Sequence, residues 1–241
     1  MSQMIKCVWE HSGNDSLLYA ANFPGAYTRG ADRESAIRKM PSEIRSYLAW
    51  KGEPIPEYLG VEIVQEAVCD LNVCDADSDI MFDTEKLPLS LEEYASLKAL
   101  CLRSADDFLR LYRSVPDRYR SCIPPRTTFY GEMPRTAEEM YRHVKCVNSY
   151  YFGEIDVQAD NEGSVSECRL RGFSALEKQS DYLANPIFAG SYGELWSLRK
   201  VLRRFLWHDR IHALAMYRMA QRTFGTGSIP DVFSFSLRSP F

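Results

Sequence analysis

Four histidines occur in the 241 residues, His11, His143, His208 and His212, and two of them stand four apart in the segment WHDRIHALAMYRM. On a helix that spacing puts both imidazoles on one face, about 6 Å apart along the axis, a bite suited to one metal ion. Taken alone, such a pair is more often surface decoration or hydrogen-bonded core histidine. His143 lies on a different helical stretch, amid Met140, Val144, Val147 and Tyr151. One histidine on one helix and a pair on another can meet inside a bundle, where each uncoordinated imidazole would need its own hydrogen-bond partner. Three neutral imidazoles leave a divalent ion its full charge and open positions for water or substrate. Imidazole accepts zinc, nickel, copper or iron, so the ligand type does not choose among them. Zinc and nickel lead the expectation, with iron, manganese and copper also open.

Other groups are weaker candidates. Cys146 is one turn beyond His143 and could be a fourth ligand, although a buried structural cysteine is the commoner role. Asp209 or Asn148 could hold the second nitrogen of a ligand histidine, but Asp209 is rotated about 100° from His208 on a helix. Arg199, Lys200, Arg203 and Arg204 could bind an anionic substrate; as a charge run on a helix they are expected to form a solvated or ion-paired face. The stretch DADSD at 75–79 imitates the start of a calcium loop, but Ile80 stands at its glycine position and Lys86 at its glutamate position, so a solvated acidic loop is expected. Cys69, Cys74 and His11 have no partner set in the sequence, and His11 is expected in a hairpin turn.

The elements that must position these groups divide the chain. IKCVW and SLLYAANF flank the polar turn HSGND, a hairpin signature. Asp32 caps RESAIRKMPSEIRSYLAW, a helix expected to kink or restart at Pro41. VEIVQEAV from Val61 reads as a third strand. After an acidic, turn-rich linker, Ser90 with Glu93 opens one helix that ends before Pro116, and Thr136 with Glu139 opens a second. A shorter third helix is expected over Phe173 to Leu183, and a last one of about 30 residues over Tyr192 to Phe224, stopped by Gly225. The expected fold class is α+β with two domains: a β-β-α-β unit over 1–70, a linker over 71–88, an antiparallel four-helix bundle over 89–225 and a tail over 226–241.

Composition is that of a globular protein, 45% hydrophobic and 26% charged. The net charge of -4 conceals an asymmetry: residues 1–90 hold 8 Lys+Arg against 15 Asp+Glu, and residues 91–241 hold 21 against 18. Neither half has the positive excess that a nucleic-acid surface requires, so no nucleic-acid partner is expected. Nor is a membrane partner, because no run approaches the roughly 18–20 apolar residues of a span. The seven scattered cysteines suit a reducing compartment, and MSQMIKCVWEHSGNDS has no apolar signal core, so a cytoplasmic location is expected. A homodimer remains open.

RHVKCVNSYYF and WSLRKVLRRFLWHDRIH resemble the second and last helices of the DinB-like (DinB/YfiT) superfamily of metal-binding four-helix bundles, over about residues 90–225. The resemblance implies a site made of His143, His208 and His212. It also implies a divalent transition metal that activates a low-molecular-weight thiol for transfer to an electrophilic substrate. NFPGAYTRGAD within residues 4–70 is similar to the HicB-like module. Ala26 replaces a cysteine common in that family, and the chain enters the bundle where antitoxin members add a DNA-binding segment. The alternative to a thiol-dependent S-transferase is a metal-binding or interaction module without turnover, carrying a regulatory HicB-like unit.

Overall fold

β1 (Ser2–Ser12) and β2 (Asp15–Ala20) pair antiparallel through Cys7↔Ala20, Val8↔Tyr19 and Trp9↔Leu18, so the hairpin forms where the flanking apolar runs required it. The computed structural model describes residues 2–13, 15–128 and 131–238; Asn14 of that turn and the last three residues of the expected tail lie outside them. β3 (Tyr27–Gly30), which the Pro24-Gly25 break concealed, pairs antiparallel with β2. β4 (Tyr58–Val68) pairs parallel with β1, with a register shift between Cys7 and Val8, giving the mixed order β3-β2-β1-β4.

α1 (Arg33–Lys51) begins at the capping box of Asp32 and Ser35 and packs on the sheet, burying Ala36, Met40, Ile44, Tyr47 and Leu48. It runs through Pro41 as a single helix, so it does not restart there. The acidic stretch after Val68 is less open than its composition implies. Val73, Ile80, Met81 and Phe82 are buried there, Tyr19 donates to Ser78 at 2.7 Å, and Gln65 donates to the Met81 carbonyl at 3.1 Å. The chain divides into two compact units, Met1–Leu87 with Phe233–Phe241, and Pro88–Val232. The stretch read as a linker therefore groups with the first unit through Leu87, and the described part of the tail from Phe233 onward joins it.

The second unit holds α2 (Leu91–Ser114), α3 (Ala137–Gly153), α4 (Val165–Leu176) and α5 (Leu198–Phe224). The described residues thus contain five α-helices and one small mixed sheet, besides two short hairpins, β5 (Thr127–Thr128) with β6 (Gly131–Glu132) and β7 (Phe188–Ala189) with β8 (Leu195–Trp196). α4 and α5 each pack against both α2 and α3. Two helices depart from expectation. The third begins at Val165, eight residues early, because Ser164 accepts from the Glu167 backbone and forms a capping box there. The last begins at Leu198 because Ser197 is its cap, and the residues before it, including Gly193, form a 3-10 turn and the β7/β8 hairpin. No described helix is long and apolar enough to cross a membrane.

α4 meets α3 closely at Gly172, where an added Cβ would lie 2.1 Å from Cε2 of Phe152. That ring is fully buried and wedged against Phe173 and Phe205, with centroids at 5.3 and 5.2 Å. Alanine is the better helix former by about 1 kcal/mol, but the overpacking cost of about 1–3 kcal/mol opposes it. Gly172→Ala is expected to lower stability in urea unfolding; equal or higher stability would show that α3 and α4 have slack at this contact.

Candidate metal centre

Two capping events set the register of the histidines. The Thr136–Glu139 box starts α3 so that His143 falls next to the buried Val144 and one turn after the buried Met140. Ser197 accepts from the Lys200 backbone and starts α5, which places His208 and His212 one above the other. From Val201 to Arg210 every residue of α5 is buried, so this stretch is enclosed on all sides instead of showing the half-apolar face of a surface helix.

The three imidazoles converge. His208 Nε2 and His143 Nε2 are 3.1 Å apart, and one ligand nitrogen from each of His143, His208 and His212 lies within 4.8 Å of the others. Ring centroids are 4.9 Å apart for His143 and His208, 4.5 Å for His143 and His212, and 4.4 Å for His208 and His212. Two imidazole nitrogens on one tetrahedral ion, with bonds of about 2.0–2.1 Å, stand roughly 3.3 Å apart. The closest pair already has nearly that spacing, and the group can hold a metal ion.

No family model, curated protein or solved structure matches the chain.

The electrostatics favour neutral imidazoles. Burial holds His208 well below its ordinary pKa, with His212 and His143 adding to the effect. Burial, then His143, pushes His212 down to about 3, and partial desolvation of the His143 ring, whose residue is otherwise exposed, lowers it as well. Three imidazoles with free lone pairs are what a metal ion requires. Exposure is graded across the group: His208 is buried, His212 is half-buried and His143 is exposed. Solvent therefore reaches the cluster from the α3 side. His208 Nδ1 is buried without a hydrogen-bond partner, so this ring is oriented by packing, including the edge of Tyr151 at 6.0 Å, instead of by the carboxylate or carbonyl that usually fixes a ligand histidine.

The other sequence candidates have different work. Cys146 is exposed and is not part of the three-histidine group. Asn148 is buried and donates to the carbonyls of Asp160 and Cys168 at 2.8 and 3.2 Å, tying α3 to the turn and helix that follow it. Asp209 does not reach a histidine. It accepts two hydrogen bonds from Arg169 of α4, at 2.6 and 3.1 Å, with both side chains wholly buried. Arg199 is held by the Pro88 carbonyl and Glu93. Lys200 and Arg204 share Glu194 at 2.9 and 3.1 Å. Lys200, Arg203 and Arg204 are buried, which excludes the solvated reading of that run. His11 sits at the end of β1 instead of in the turn, stacked on Trp9 at 3.9 Å and 3.2 Å from Glu66.

Arg169 was not singled out by sequence, and Tyr151 was named only as a neighbour of His143. Arg169 fell outside the expected third helix, yet SVSE at 164–167 carries the same capping-box pattern that located two other helices.

Proposed function

We propose that α2, α3, α4 and α5 form an antiparallel four-helix bundle of the DinB-like kind, an independent domain that binds one divalent transition metal through His143, His208 and His212 and uses it in thiol-dependent group transfer. The single observation that supports this reading is the convergence of three neutral imidazoles from two helices, on a side that solvent reaches. The metal would supply Lewis acidity, favouring the thiolate form of a small thiol. The chain's own residues do the rest. α5 fixes the spacing of His208 and His212, and the Arg169–Asp209 pair ties that helix to α4. The exposed residue, His143, marks the side from which thiol and electrophile would approach. Zinc and nickel suit the donor set. The N-terminal unit, HicB-like in sequence, is assigned an accessory role, and the protein is assigned to the cytoplasm.

Cobalt-loaded protein tests catalysis against mere binding. Addition of a low-molecular-weight thiol should produce a sulfur-to-metal charge-transfer band that His212→Ala abolishes, and an electrophile should then be consumed. Cobalt binding with no thiol response and no consumption would leave a metal-binding module without turnover.

A further inference from the structure

Within the first unit, one short piece of chain arrives from far away in sequence. Phe233 to Arg238 lies against α1 and β3, elements that belong to the continuous stretch ending at Leu87. It holds one 3-10 turn, Phe235–Leu237, and packs through its side chains without adding a strand to the sheet. The Phe233 ring sits 5.2 Å from Trp50 and stacks on Phe235 at 5.4 Å and 13°. Ser234 takes the left-handed conformation, φ 58°, between these two rings. Ser46 donates to the Phe233 carbonyl at 3.4 Å. Arg238 then closes the contact: its Nε is 2.9 Å from Glu43 Oε2, it donates to the Tyr27 carbonyl at 3.4 Å, and its guanidinium lies over the Tyr27 ring at 5.5 Å. Both charged side chains of this pair are nearly wholly buried.

We infer that the groove formed by Glu43, Ser46, Trp50 and Tyr27 is a peptide-recognition site, specific for a Phe-x-Phe-x-x-Arg segment and filled in the resting chain by its own residues Phe233–Arg238. Charge complementarity selects the occupant. Glu43 is buried on α1, and a carboxylate there favours a peptide that brings its own cation, since a buried charge that loses its partner is strongly disfavoured. The paired phenylalanines supply the apolar anchor. The segment is also covalently tethered. It is joined to α5 through GTGSIPDV at 225–232, where Gly225 and Gly227 have positive φ and 225–227 are exposed. A short tether gives its ligand an effective concentration of about 1 mM, so a segment with a Kd of about 10 µM would occupy the groove about 99% of the time. An outside segment of the same chemistry competes only when the tether is cut or its own local concentration is comparable. This inference is independent of the metal site.

The test uses the folded full-length chain with a protease recognition sequence inserted after Gly227, cleaved after purification. A labelled peptide of residues 229–238 should then exchange into the groove at one per chain. The same peptide should bind the uncleaved chain about a hundredfold more weakly. An Arg238→Ala peptide should lose roughly a hundredfold in affinity for the cleaved chain, as expected for stripping one partner from a buried ion pair, and Glu43→Gln in the chain should abolish the preference for arginine. Failure of the labelled peptide to enter the cleaved, still-folded chain, or equal binding of wild-type and Arg238→Ala peptides, would overturn the assignment and make the segment an ordinary part of the core.

Discussion

Asp209→Ala is expected to destabilise the protein by about 3–5 kcal/mol, a large share of the roughly 5–15 kcal/mol that holds a domain together. The cause is the stranded partner. Arg169 lies wholly buried on α4, makes both of its hydrogen bonds to Asp209 and stacks over the Phe205 ring at 4.1 Å. Without Asp209 its guanidinium would remain in the interior with no counter-charge. The intact pair need not add net stability over apolar packing, because both charges were taken out of water to make it. The double variant Arg169→Met, Asp209→Leu should therefore recover most of what either single change loses. Urea unfolding of the four proteins in a double-mutant cycle checks this. A single-variant loss below about 1 kcal/mol would mean that water reaches the pair and that α4 and α5 are not clamped there.

Much of this architecture was legible because capping signals and hydrophobic period agree in the sequence. Asp32, Ser90 and Thr136 each marked a helix start that the structure keeps. The β1/β2 hairpin followed from two apolar runs around a polar turn. Elsewhere tertiary packing overrode local signals. β3 is only four residues long and needs β2 to exist. The acidic stretch at 69–88 has too few apolar residues to look ordered, yet Val73, Ile80 and Phe82 are enough to bury it in part. Lys200, Arg203 and Arg204 read as solvated charge because sequence shows residue type and not enclosure.

The histidines were readable for the opposite reason. There are only four in the chain, and helical spacing constrains where two of them point. What spacing could not give was the meeting of α3 with α5, a tertiary contact that no local signal encodes. Nor could it give the gradient from buried His208 to exposed His143.

His208→Ala carries the second large effect. His208 contributes the nitrogen 3.1 Å from His143 and sits next to His212 on the same face of α5. Removing it leaves two donors, and since even an outer partner of a metal ligand is worth roughly 10–100-fold in affinity, loss of the ligand itself should weaken binding by more than about a hundredfold. The fold should survive. α3 and α4 meet α5 through Phe152, Phe173 and Phe205, and the imidazole removed has a buried nitrogen with no hydrogen-bond partner. A cooperative unfolding transition in His208→Ala would show that the metal is a ligand of a preformed site and not the scaffold of the unit.

The central claim, one metal held by three histidines, is tested most directly by calorimetric titration of zinc into the metal-stripped protein and into His143→Ala, His208→Ala and His212→Ala. One equivalent in the parent protein and loss of stoichiometric binding in every variant is the predicted result. One-equivalent binding that persists unchanged in both His143→Ala and His208→Ala would contradict it.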